Sequence, residues 1–180
     1  MTEALLTLIS AALINNLVLH WPLAVDPLLA GKRRQVHALG IATTCLMLIV
    51  GMLGYALYQW LLVPLQLTPL RLFVFLPLSV LLINPLLKLL ARLFSTLPFE
   101  GLWPLLLGNA GVLGVALLNV QEDKGFFPAT ALSLGAGLGF WLVLSLFTDL
   151  RERTSDNDVP LPFRCLPIDL IGAGLIAVAF

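Results

Sequence analysis

The sequence predicts an all-α integral membrane protein, with six transmembrane helices forming two inverted three-helix repeats in which helices one and four are interrupted. Three observations carry this. First, 59% of the 180 residues are hydrophobic and only 11% are charged, whereas soluble domains run near about 25% charged. Second, the apolar residues gather into six stretches separated by short polar or proline-rich connectors. Third, amides, prolines and glycines break the apolar pattern at corresponding places in the two halves.

A spanning helix needs about 20 mostly apolar residues to cross a hydrocarbon core of about 30 Å. The six stretches run from Glu3 to Val25, Val36 to Trp60, Leu70 to Leu90, Leu102 to Val120, Phe127 to Thr148, and Cys165 to Phe180. The start, Met1-Thr2-Glu3, is acidic where a signal peptide is basic, so the first stretch is expected to stay as a span. The connectors are Gly31 to Gln35, Pro64 to Pro69, Ser95 to Gly101, Gln121 to Gly125, and Arg151 to Pro162, the last expected to be water-exposed throughout. Such short loops make one compact membrane domain over 1–180, with repeat one at about 1–93 and repeat two at about 99–180.

Orientation follows from the basic residues, because positively charged short loops stay in the cytoplasm. Lys32, Arg33, Arg34, Lys88, Arg92, Arg151, Arg153 and Arg164 border loops one, three and five; only Arg71 and Lys124 border loops two and four. Both termini are therefore expected on the outer side. Formal net charge is zero, which removes nucleic acid as a partner, since that needs a basic face.

The first span contains Asn15-Asn16 and then His20-Trp21-Pro22 and Asp26-Pro27; the fourth contains Trp103-Pro104 and Gly108-Asn109-Ala110-Gly111. Lipid cannot satisfy backbone groups freed by a break, so both segments should face protein or a water-filled cavity. With three spans per half, the second half enters from the opposite side. That is the arrangement of an inverted repeat with its site near the midplane.

Asn15, Asn16, Asp26 and Asn109 are the candidates to line an ion path, against the alternative that the amides join helices. Asp26 and Asp169 lie near basic clusters, so charge balance at the headgroups is the alternative for them. Gly135, Gly137, Gly139, Gly172 and Gly174 read as helix-packing contacts, and Trp60 and Trp103 as interface anchors. His20 has no second ligand at helical spacing and reads as an internal hydrogen-bonding residue, not a metal ligand. Cys45 and Cys165 are too few and too far apart for a disulfide framework or zinc motif.

Asn15-Asn16-Leu17-Val18-Leu19, Gly40 to Thr44, Asn109-Ala110-Gly111-Val112-Leu113-Gly114-Val115-Ala116-Leu117-Leu118-Asn119, Arg151-Glu152-Arg153 and Asp158 to Arg164 together resemble the A-type subunit of the Rnf electron-transport complex. The related E-type subunit of the sodium-pumping NADH:quinone oxidoreductase is similar. The resemblance runs in order along nearly the whole chain. It implies a bacterial inner-membrane complex that couples electron transfer to movement of Na⁺ or H⁺, with this chain a membrane subunit that is not catalytic alone. It also implies six spans, outward (periplasmic) termini, and other Rnf-type membrane subunits as partners, above all a paired six-helix subunit.

In that family each broken helix supplies one cysteine toward a [2Fe–2S] cluster shared with the paired subunit, and such a cluster needs four good ligands. Here those positions hold Asp26 and Ala110. No cofactor is therefore expected in this chain. The alternative is an ion transporter, channel or scaffold on the same framework with no redox role.

Overall fold

The computed structural model describes residues 2–14, 16, 33–94, 96–121, 125–155 and 166–179, and these are helical nearly throughout. Asn15, His20, Asp26 and Cys165 lie outside the described residues, as does most of the fifth connector. In chain order the helices are α1 (Thr2–Ile9), α2 (Arg33–Leu57), α3 (Arg71–Leu93), α4 (Trp103–Leu107), α5 (Ala110–Gln121), α6 (Phe126–Ser155) and α7 (Leu166–Ala179). Single π turns prolong α1 over Ser10–Ile14 and α2 over Tyr58–Leu62, and a 3₁₀ turn at Thr68–Leu70 leads into α3.

Among the described residues, four segments are long and apolar enough to cross a membrane: Gln35–Leu62, Thr68–Leu93, Trp103–Gln121 and Phe126–Arg153. The described parts of α1 and α7 are apolar and shorter than these four, so helix stands in each of the six expected places. The fifth span outruns its expected end at Thr148 and continues to Ser155, into the stretch read as loop. Asp149 and Arg153 sit four residues apart there, a spacing that places opposite charges on one helix face and supports an extra turn.

α2 and α6 form the central pair, antiparallel and in contact along most of their length. α1 packs on α6, whereas α5 packs on α2. Each half thus lays its first span against the middle span of the other half. α3 rests on α2, and α7 on α6. Between them Leu39, Leu46, Met47, Phe75, Phe140 and Leu144 form a core with almost no exposed surface.

Small residues set these distances. On α6, Gly135 and Gly139 share one stripe, and a methyl group on them would lie 2.6 Å from the Leu8 carbonyl oxygen and 2.8 Å from that of Ala12. Ser133, Gly137 and Trp141 share the next stripe and meet Gly51, Thr44 and Gly40 of α2. A methyl group at Gly137 would lie 2.7 Å from Thr44 Cα, so backbone meets backbone there. Four-residue spacing puts each set on one face, and without side chains the axes approach closely. Gly135, Gly137 and Gly139 are therefore packing residues, as their pattern predicts.

Candidate functional site

The fourth span is interrupted where the sequence places the break. Pro104 sits in the first turn of α4, and the helix stops after five residues. The Gly108 N–H still reaches the Pro104 carbonyl at 3.0 Å, and the Asn109 N–H reaches that of Leu106 at 3.3 Å. Asn109 then starts α5. Its Oδ1 accepts a hydrogen bond from the Gly111 N–H at 3.0 Å, the N-cap arrangement that satisfies a donor left over at a helix start.

Asn109 is only 3% exposed, and its Nδ2 has no hydrogen-bond partner among the described residues. With Oδ1 committed to the cap, the side chain offers the interior an N–H donor. Gly108 and Ala110, on either side of it, are exposed.

Asn16 marks the end of the first described helix. It is 2% exposed, and its Nδ2 donates to the Ala12 carbonyl at 3.1 Å. Ala12 lies within the π turn, which leaves carbonyls without their usual α-helical donors. The same Nδ2 faces the bare backbone of Gly139 on α6. Asn16 therefore sits against α6, whereas Asn109 caps α5, the helix that packs on α2.

Neutral polar groups also line the contacts that α6 makes with α2 and α5. The Thr44 hydroxyl lies 2.8 Å from the Gly40 carbonyl and 2.9 Å from the Gly137 carbonyl, so its proton bridges α2 and α6. Thr43 beside it is fully buried, and its hydroxyl has no partner among the described residues. Nearer the other end, Asn119 Nδ2 donates to Ser133 Oγ at 2.8 Å, and Ser133 donates to the Ala129 carbonyl at 2.8 Å. Asn119 Oδ1 is buried with no donor among the described residues.

Of the four predicted site residues, the structure places Asn16 and Asn109 in the interior, Asn109 at the α4–α5 break; Asn15 and Asp26 lie outside the described residues. Thr43, Thr44, Asn119 and Ser133 belong to the same interior and were not singled out from sequence. Their signal was a run of small polar residues in otherwise apolar spans, which does not reveal which face is buried.

The interior chemistry is that of dipoles. Buried amides and hydroxyls can hand a cation or a water chain from one carbonyl to another without a fixed charge, at far lower cost than a buried carboxylate. No group of three or more His, Cys, Asp or Glu side chains converges among the described residues. A [2Fe–2S] cluster needs four ligands; of the two positions that the resemblance assigns to it, Ala110 has only a methyl side chain and Asp26 lies outside the described residues. Cys45, on α2, packs against the hydrophobic core away from the α4–α5 break in sequence.

A family model described as "Rnf-Nqr subunit, membrane protein" matches residues 4–180. The chain is similar to proteins named as the A-type subunit of an ion-translocating oxidoreductase complex. It is 40% identical to that of Thioalkalivibrio sulfidiphilus over 185 aligned positions, covering all of this chain and 96% of the relative. To those of Pseudoalteromonas translucida and Pseudomonas aeruginosa it is 38% and 41% identical, again over the full chain and 95% of each relative.

Proposed function

The chain belongs to the Rnf-Nqr family of membrane subunits, and from that premise we propose that it works as the A-type subunit of a redox-driven Na⁺ or H⁺ translocating complex without supplying cluster ligands of its own. Its end-to-end similarity to proteins that carry the A-type name in an ion-translocating oxidoreductase complex supports the first half of this reading. Ala110 at the α4–α5 break carries the second, because an alanine has no donor atom for iron.

The break itself speaks for a partner subunit. Gly108 and Ala110 stand exposed at the break, near the middle of the span Trp103–Gln121. Irregular backbone at that depth needs protein or a water-lined cavity over it. A paired six-helix subunit laid across the break would cover it. The repeat boundaries at about 1–93 and 99–180 accord with the exchange of first spans between α2 and α6.

Asn16 and Asn109 are assigned to the ion path, together with Asn15 and Asp26, which lie outside the described residues. The chain sits in the bacterial inner membrane with both termini periplasmic, supported by the uneven distribution of Lys and Arg.

Two measurements test this. The anaerobically purified complex is examined for iron per chain and by EPR. A [2Fe–2S] signal that persists in Cys45→Ala/Cys165→Ala but vanishes in Asp26→Ala would overturn the ligand-free assignment. For the path, Asn16→Leu and Asn109→Leu should reduce redox-driven ion uptake in liposomes at least tenfold, while the composition of the complex stays intact. Uptake equal to wild type in both variants removes the two amides from the path.

A further inference from the structure

We infer that the outward face of α3 is the seat of a transmembrane helix from a different subunit, one that offers a hydrogen-bonding side chain in mid-membrane and a carboxylate at the helix end. This rests on the reading of the chain as one member of a multi-subunit membrane complex. Phe73, Pro77, Leu81, Asn84 and Lys88 are all exposed and recur at spacings of three or four residues, so they form one stripe. Phe73 and Leu81 are 76% and 71% exposed. The opposite face, with Phe75, Ser79, Ile83, Leu86 and Leu90, is buried against the bundle.

An apolar stripe alone would suit lipid. This one carries three groups that lipid cannot satisfy. Asn84 lies about 5 Å from the midpoint of the span Thr68–Leu93 at about 1.5 Å per residue. Its primary amide points outward at that depth. Pro77 and Pro85 lie inside the helix, and each lacks the N–H that would have bonded the carbonyl four residues earlier. Those carbonyls belong to Phe73 and Leu81, on the same stripe. The hydroxyl nearby does not replace the missing donors, because Ser79 Oγ donates to the Leu76 carbonyl at 2.7 Å.

Charge selects the kind of partner. Lys88 and Arg92 follow Asn84 at four-residue intervals and are also exposed. A second copy of this chain, brought in with its Asn84 against this one about a two-fold axis, would bring two lysines and two arginines together at one end. Like charges so placed repel. A different helix with an amide or hydroxyl opposite Asn84 and an acidic residue opposite Lys88 satisfies the amide and the lysine at once.

The test uses the full complex, expressed with all its subunits in bacterial membranes. A photo-crosslinking p-benzoylphenylalanine replaces Leu81, and the adduct is identified by mass spectrometry. The expected adduct is another membrane subunit of the same complex. In parallel, Asn84→Leu should weaken retention of that subunit in detergent by about threefold to twentyfold, the range for one interhelical hydrogen bond, without lowering the thermal stability of the isolated chain.

An adduct with a second copy, or with lipid only, overturns the proposal; so does undiminished retention in Asn84→Leu. If the wild-type chain does not co-purify with other subunits at all, the reading as a member of a complex fails. If it co-purifies but position 81 captures none of them, only the assignment of this face fails.

Discussion

At the residue scale, the polar and small side chains of the interior divide into those that close helix contacts and those that leave a group open. Gly137 closes one: any side chain there meets the Thr44 backbone. Gly137→Ala should therefore destabilise the chain by about 1–3 kcal/mol, the usual cost of overpacking a tight contact, seen as a lower unfolding midpoint in detergent. Gly174, with nothing among the described residues within 4 Å of its added methyl, is the control, and Gly174→Ala should leave the midpoint level or raise it. The glycine pattern was legible in sequence because spacing alone puts Gly135 and Gly139 on one stripe. The bridge from Thr44 to the Gly137 carbonyl was not. It depends on how α2 is rotated against α6, which no local pattern encodes. Asn109 was legible as an interruption, but its split role, with Oδ1 on the cap and Nδ2 unpartnered among the described residues, needed the geometry of the break.

At the element scale, α5 begins near the middle of the apolar span Trp103–Gln121, away from the bulk water that bonds the first N–H groups of a surface helix. Its start therefore leans on the Asn109 cap more than a surface helix would lean on its own. Asn109→Leu should speed amide hydrogen exchange at Gly111 and Val112 and cost about 0.5–2 kcal/mol, whereas Asn109→Ser, which keeps an acceptor, should recover most of that protection. Equal exchange in both variants would remove the cap as the reason α5 starts where it does. The break at Gly108–Asn109 was readable in advance because Pro, Gly and Asn coincide there. The overrun of α6 to Ser155 was not. The polar composition of Asp149 to Ser155 resembles a loop, and the i to i+4 pairing of Asp149 with Arg153 has to be weighed against it.

At the scale of the whole molecule, the proposed alternation of six spans puts the two ends of the chain on one side of the membrane. Protease sites appended at Met1 and at Phe180 should both be cut from outside in intact spheroplasts. Cutting of one from outside and of the other only after lysis would break the six-span count, and cutting of both only after lysis would reverse the orientation. The fold class was legible because lipid constrains sequence so strongly: long apolar segments, short connectors and asymmetric basic charge leave few architectures open. Which helices touch was less legible, since one apolar face looks much like another. The packing of α1 on α6 has a further consequence, for biogenesis. The glycine stripe that receives α1 lies at Gly135 and Gly139, so the first helix to leave the ribosome has its main described partner in a helix made about 120 residues later. At about 5–20 residues per second of synthesis, α1 waits several seconds or longer in the bilayer or beside the insertion machinery. Any chain truncated before α6 leaves that first helix without its groove.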